Sequence, residues 1–301
     1  MLDLSVVIPT YNRLDTLQHV VPTLLAQDVA RDRYEILVCD SNSTDGTAEY
    51  LARVSSGASN VRHLPAAYGG RAAARNAGVA AARGRIVLFN DADILASPDL
   101  LARHLGRHAE RSHVAVVGLE VQVKNLEDYA YKRDHPEARG SLHPETRKRL
   151  SWLYFLTGNA SVERDDLLRV GSFDESFTGY GHEDLELGYR LERAGVEIVY
   201  EPLAVNYHCQ DVSVGDQKEK MKLAGRSTVR FYRKHPDFRV KLNLGMTPVS
   251  LGLHSLLTSV PSVLGYFDDR ADRSKFARDL IWQYYYVSGI KEALGSHENH
   301  A

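Results

Sequence analysis

Four short apolar runs, at residues 4–8, 34–39, 61–64 and 85–89, punctuate the first third of the chain, and the segments between them are patterned as helices. Leu14, Leu17, Val20, Val21, Leu24 and Leu25 recur every three or four positions, and residues 72–83 are alanine-rich with Gly84 as a stop. Strand and helix in strict alternation predict an α/β fold: a parallel sheet with helices on both faces. Ligands of open α/β sheets sit outside the carboxyl ends of the strands. In this chain those ends read Pro9-Thr10-Tyr11-Asn12, Cys39-Asp40-Ser41-Asn42 and Asn90-Asp91-Ala92-Asp93, all polar and two of them acidic.

The rest of the chain is less regular. A strand is expected at 114–117. Residues 124–149 then carry many charges, two prolines and little periodicity. They read as a long loop, either a mobile lid or a disordered insertion. Patterning resumes at Trp152, with a helix over 183–194 closed by Gly195, a strand over 196–200, and helices over 217–234 and 276–294. The helix ending at His235-Pro236 suggests an α/β domain over 1–235 and a helical extension over 236–301. Residues 242–267 contain no Lys, Arg, Asp or Glu and are long enough to cross a bilayer. Ser250, His254, Ser255, Thr258, Ser259, Pro261 and Ser262 interrupt them, while Val249, Leu253, Leu256, Leu257, Val260 and Leu264 share one helical side. This is a one-sided helix and not a span. Its stripe fits burial in the protein's own core, or contact with a membrane surface or a partner.

Composition removes several classes. Lys+Arg number 37 and Asp+Glu 39, a net charge of −2, which argues against a sequence-blind nucleic-acid binder. Two cysteines make neither a disulfide framework nor a four-cysteine zinc site. With no basic and apolar leader at the N-terminus, a cytoplasmic protein is expected. No G-x-G-x-x-G follows the first strand and no P-loop is present, against a dehydrogenase or a P-loop NTPase.

Asp91 and Asp93 lie two apart after a buried strand, a spacing that points both carboxylates the same way in extended backbone. Their mutual repulsion is relieved by a cation, and hard oxygen ligands suit Mn²⁺ or Mg²⁺. A solvated turn capping the next helix is the plainer alternative. Asp40 fits recognition of a nucleobase N–H or plain turn structure, whereas Asp45 fits a helix N-terminus. Arg71, Arg75 and Asn76 fall on or beside the alanine-rich helix, either turned towards a diphosphate or forming a solvated face. Glu183 and Asp184 open a helix after Gly179-Tyr180-Gly181-His182, as an acidic cap or as a base beside a substrate hydroxyl. His208 is a surface or structural histidine or a further metal ligand.

Together these segments resemble the family 2 glycosyltransferases of the GT-A fold. The residues that carry the resemblance are Ser5-Val6-Val7-Ile8-Pro9-Thr10-Tyr11-Asn12, Asp40-Ser41-Asn42-Ser43-Thr44-Asp45-Gly46-Thr47, Ala74-Arg75-Asn76-Ala77-Gly78, Asn90-Asp91-Ala92-Asp93 and Gly181-His182-Glu183-Asp184, in the family's order. It covers residues 3–210. Thr157-Gly158-Asn159-Ala160, Phe173-Asp174 and Glu183-Asp184-Leu185-Glu186 also resemble the acceptor-side segment of galactosyl- and N-acetylgalactosaminyl-transferases. The resemblance implies a nucleotide-sugar donor, with UDP as the nucleotide, and a glycan, glycolipid or other hydroxyl acceptor. Pro9, Thr10, Tyr11 and Asp40 would cradle the nucleoside. Arg71, Arg75, Asn76, Asp91 and Ala92 would line the nucleotide-sugar, and Asp91, Asp93 and His208 would hold the metal, Asp93 most directly. Asp184 would be the base of an inverting reaction, with Glu183 as the adjacent alternative. Relatives that act at membranes add peripheral membrane contact to these expectations. Two other functions compete: a non-catalytic nucleotide-sugar-binding protein on the same fold, and a nucleotidyltransferase.

Overall fold

The computed structural model describes residues 2–139, 149–210 and 214–295. Its contacts divide the chain into two units: Met1–Ser176 with Glu183–Asp211, and Phe177–His182 with Val212–Ala301.

The first unit starts with the expected alternation: β1 (Leu4–Thr10), α1 (Leu14–Leu25), β2 (Tyr34–Asp40), α2 (Thr47–Gly57), β3 (Val61–Pro65), α3 (Arg71–Ala81) and β4 (Ile86–Phe89). β5 (Ile94–Ala96), α4 (Leu100–Glu110), β6 (Val114–Val123) and α5 (Leu126–Asp134) follow. Then come β7 (Arg149–Leu150), β8 (Ala160–Glu163), α6 (Arg164–Arg169), α7 (Glu183–Arg193) and β9 (Glu197–Cys209). The strands form one sheet in the order β3-β2-β1-β4-β8-β6-β9-β5, with β7 on β9.

The sheet is parallel only in part. β3, β2, β1 and β4 pair in parallel, but β8 enters antiparallel between β4 and β6. β6 and β9 are parallel, and β5 runs antiparallel to β9. The parallel sheet expected from the alternation of the first third is found there, and the later strands make the rest of the sheet mixed. β1 is buried on both faces. Leu4, Val6 and Ile8 join the core that contains Leu17, Val20, Val21 and Leu24 of α1. Val7 meets α3 at Gly78, where a β-carbon would lie 2.3 Å from Val7 Cγ1.

The segment expected as a loop over 124–149 contains α5. Asn125 caps it by accepting from the Asp128 amide, and Asp128 pairs with Lys132 one turn on. No residue of α5 is buried, so no apolar period marks it in the sequence. Residues 140–148 of that expected lid lie outside the described residues.

The second unit holds α8 (Val214–Lys234), α9 (Phe238–Asn243), α10 (Pro248–Ser259), α11 (Pro261–Asp268) and α12 (Lys275–Gly295). α8 and α12 cross at two glycines. A β-carbon on Gly225 would lie 2.0 Å from the Tyr286 carbonyl oxygen, and one on Gly289 1.9 Å from that of Lys222. This close approach joins α8 to the C-terminal helices within the second unit. Within the unit the His182 ring bonds the Thr228 hydroxyl, and Tyr286 bonds the Leu244 carbonyl.

The apolar stripe on α10 is not core. Val249 is 80% exposed, Leu253 52% and Leu256 62%, while His254 turns inward and bonds Ser288. Burial of this stripe in the protein's own core is thus corrected: the polar side of α10 faces α12. Among the described residues no helix is long and apolar enough to cross a membrane.

Candidate active site

The ends of β1 and β2 are level, since Pro9 pairs with Cys39 and Thr10 with Asp40. The loops beyond them are stitched together. The Asn12 amide donates to Ser43 Oγ, and Asn12 Oδ1 accepts from the Thr44 amide, both at 2.8 Å. Asn12 and Asn42 take φ of 49° and 57°, a left-handed backbone that asparagine tolerates better than most residues. Asp45 joins the two helices that follow, accepting from the Leu14 amide of α1 and from Thr47 of α2. This is the helix-terminus role expected for it.

Asp40 is buried at the bottom of this double turn. Its Oδ1 accepts from the Ser43 amide and hydroxyl, and its Oδ2 lies 3.1 Å from His63 Nε2. The Thr10 hydroxyl beside it is buried without a hydrogen-bond partner among the described residues. Pro9 is half-buried and Tyr11 is exposed. A cavity of about 460 Å³ opens over the start of α1, lined by Asn12, Arg13, Leu14, Asp15, Gln18 and Asp45.

Arg75 is the hub of the acidic half. It is buried, its Nη2 lies 2.8 Å from Asp91 Oδ1, and its Nη1 lies 3.1 Å from Glu183 Oε1. Its guanidinium stands 5.6 Å from the Phe173 ring centroid. Burial opposes its charge, but Asp91 and Glu183 outweigh burial and raise its pKa. Asn76, one position on, engages instead the backbone of Phe173 and the Glu175 carboxylate. Arg71 is exposed on the first turn of α3. The structure thus gathers Arg75, Asp91 and Glu183, while Asn76 clamps the Phe173 segment.

Asp184 is the second residue of α7, after Glu183, and is partly open to solvent. Its surroundings raise its carboxyl to about 7, first by burial and then by the charge of Glu183, with Arg75 acting in the opposite sense. Gly181 and His182 precede the helix with φ of 87° and 73°, the turn into its first residue.

Ala92 is buried, and Asp93 has a different neighbour from Asp91: His208 in place of Arg75. Antiparallel pairing of β5 with β9 sets Ile94 against His208, and the Cys209 amide bonds the Asp93 carbonyl at 2.9 Å. His208 Nε2 consequently lies 3.6 Å from Asp93 Oδ1. Burial raises the Asp93 carboxyl, but His208 and then Arg13 hold it below its ordinary value. Burial opposes protonation of His208, but Asp93 and Glu120 push it up to about 10. Two carboxylates and an imidazole are ligand types that suit Mn²⁺ or Mg²⁺, but among the described residues the three do not form a cluster with ligand atoms within 4.8 Å of one another, as His113, Glu163 and Asp166 do. Asp91 has one oxygen on Arg75, which leaves Asp93 and His208 as the more available pair.

Three residues escaped the sequence reading: Arg13, His63 and Glu120. Arg13 stood inside a quoted motif's next position, and a cation after an N-x turn was the available signal. His63 and Glu120 gave none. A separate trio, His113, Glu163 and Asp166, lies at the opposite strand ends. Its carboxylates are already paired with Arg85 and Arg169.

Comparison with known proteins agrees with this geometry. The family model described as glycosyl transferase family 2 matches residues 5–171. That of the N-terminal domain of galactosyltransferase matches residues 140–208. The chain belongs to glycosyl transferase family 2. It is 31% identical over 275 residues to a validoxylamine A glucosyltransferase of Streptomyces hygroscopicus, covering 81% of this chain and 64% of that protein. The chain therefore spans somewhat under two thirds of that relative's length. A mannosyltransferase from Pyrobaculum calidifontis, solved with GDP-Man and Mn²⁺, superposes with a TM-score of 0.66 at 20% identity, over 97% of this chain and 86% of that one. S. aureus TarS 1–349 with UDP-GlcNAc gives 0.58 at 17% identity, over 99% and 92%. These likenesses establish the GT-A fold.

Proposed function

We propose that the chain transfers a sugar from a nucleoside-diphosphate donor to a hydroxyl acceptor, with inversion at the anomeric carbon. The observation that carries this reading is the shared guanidinium of Arg75. It ties Asp91 of the donor-side D-x-D to Glu183 of the acceptor-side helix, and so holds both halves of a transferase site together. UDP is the proposed nucleotide, supported by the Asp40 carboxylate level with Thr10, which suits a ring N–H such as that of uracil. Pro9, Thr10 and Tyr11 would border the base.

Glu183 is buried with Oε1 on Arg75, whereas Asp184 is partly open to solvent, so the proton acceptor we assign is Asp184. Asp184 takes the proton of the acceptor hydroxyl as its oxygen attacks the anomeric carbon. The bond from that carbon to the diphosphate oxygen breaks, and the nucleoside diphosphate leaves with the bonding pair. Asp93 and His208, with Asp91, would hold a divalent cation, which supplies neutralisation of the charge growing on the leaving diphosphate. The exposed stripe of Val249, Leu253 and Leu256 supports peripheral contact with a membrane surface, tested by co-sedimentation with lipid vesicles.

The test is release of nucleoside diphosphate from UDP-, GDP- and dTDP-sugars with Mn²⁺ across a panel of hydroxyl acceptors, with product configuration read by NMR. A single active carrier and an inverted product are expected. Turnover in Asp184→Asn equal to that of the parent protein would remove the assigned base.

A further inference from the structure

Glu120 has no part in the reading above, yet it touches the ring of a residue assigned to the metal. We propose that Glu120 is a positioning residue for the metal centre: it accepts the Nδ1–H of His208 and so presents the opposite ring nitrogen beside Asp93. The inference rests on the assignment of Asp93 and His208 as metal ligands.

The geometry comes from three strands. His208 pairs with Ile94 of β5 on one side and with Gln122 of β6 on the other. Its backbone is therefore fixed beside Asp93, but backbone pairing does not fix the ring. The ring is fixed by its contacts: Nδ1 lies 3.1 Å from Glu120 Oε1, and Nε2 lies 3.6 Å from Asp93 Oδ1. A carboxylate on Nδ1 keeps a hydrogen there, so the proton beside Asp93 on Nε2 is the one a cation would displace to take that lone pair, the role such partners play behind metal-bound histidines. A separation of 3.6 Å is too wide for a direct hydrogen bond. It suits two ligand atoms that share one ion, given ligand bonds of roughly 2.1 Å.

Glu120 is itself held. Gln122 Nε2 donates to its Oε1 at 2.8 Å. Its carboxylate also passes over Gly158, where a β-carbon would lie 2.2 Å from Oε2. Any other residue at 158 would displace it, which gives the glycine of Thr157-Gly158-Asn159 a specific reason. Gln122 Nε2 is 3.4 Å from His208 Nδ1. If Glu120 were truncated, that amide would become the neighbour of Nδ1 and favour the opposite tautomer, with hydrogen facing Asp93.

The probe is Mn²⁺ alone, added to the full chain. Free ion is counted by EPR, and pulsed EPR reads the nitrogen coupling of a coordinated imidazole. The parent protein is expected to show that coupling, and His208→Ala to lose it. Glu120→Ala is expected to bind Mn²⁺ roughly 10–100-fold more weakly and to lose the coupling. Glu120→Gln, which keeps an acceptor oxygen, is expected to recover it. Should Glu120→Ala not fold, Glu120→Val keeps a residue suited to a strand. Parent-like affinity and coupling in the truncated variant, with Asp93→Ala unable to bind, would overturn the role of Glu120 alone. No coupling in the parent, with Asp93→Ala binding as the parent does, would overturn the metal assignment itself.

Discussion

Arg75 Nη1 and Glu183 Oε1 lie 3.1 Å apart across 108 positions of sequence, with both side chains buried. Breaking a buried pair leaves a charge without a partner, and the same guanidinium also serves Asp91. Arg75→Met is therefore expected to cost about 3–5 kcal/mol, read as a lowered urea midpoint. A loss under 1 kcal/mol would mean that the pair is not closed in solution.

Asp184→Asn separates catalysis from stability. The variant is expected to lower kcat by roughly 10²–10⁴-fold. In the parent, the carboxyl is raised to about 7 from 3.8, by burial and then by Glu183. A base acts deprotonated, so kcat/KM should fall as pH drops below about 7. Stability runs the other way. The folded state holds this proton more tightly than the unfolded chain, so the ionised group costs stability above about pH 7 and nothing below about pH 4. Melting temperatures should show Asp184→Asn more stable than the parent at pH 8 and no gain at pH 4.

A buried histidine chain sets the acid limit of the fold. Ser161 Oγ lies 2.8 Å from both His104 Nδ1 and His108 Nε2, and His104 Nε2 lies 2.8 Å from Asn159 Oδ1. Asn159 Oδ1 accepts only, so His104 carries its hydrogen on Nε2. Ser161 then donates to His104 and accepts from His108. Burial lowers the two rings to about 4 and about 3, and lowers His182 to about 4. Below the unfolded value of about 6.5 the unfolded chain binds more protons. Stability should therefore fall as pH drops from about 6.5 towards 4, by about 1.4 kcal/mol per pH unit for each ring. Urea titrations across that window check it, and His108→Leu should reduce the slope by one ring's share.

Close packing of α3 on the sheet gives a fourth outcome. A β-carbon at Gly78 would meet Val7 Cγ1 at 2.3 Å and Cys39 Sγ at 3.0 Å. Gly78→Ala should destabilise by about 1–3 kcal/mol through overpacking, despite the better helix propensity of alanine. A rise in the urea midpoint would show that α3 does not sit so close.

The strands β1, β2 and β4 were legible because continuous burial leaves continuous apolar runs, and the polar residues at their ends marked the site. Antiparallel β8 was not, because its place between β4 and β6 is decided by long-range pairing that no local pattern records. α5 was hidden by having no buried face. At the candidate site, Arg75 was expected to face a diphosphate or solvent, and its burial between Asp91 and Glu183, which joins three distant segments, was not legible. Glu120 lies beyond the strand expected over 114–117, in the part of β6 that the sequence did not mark. Only the return of β9 beside β6 gives it a histidine to hold.

The most direct measurement of the central claim is calorimetric binding of UDP and GDP to the chain, each with Mn²⁺ and with EDTA, repeated on Asp93→Ala. One nucleotide is expected to bind with Mn²⁺ and to be lost both with EDTA and in the variant. Binding of neither nucleotide under any condition, or binding untouched by EDTA and by Asp93→Ala, would contradict a metal-assisted nucleotide-sugar site.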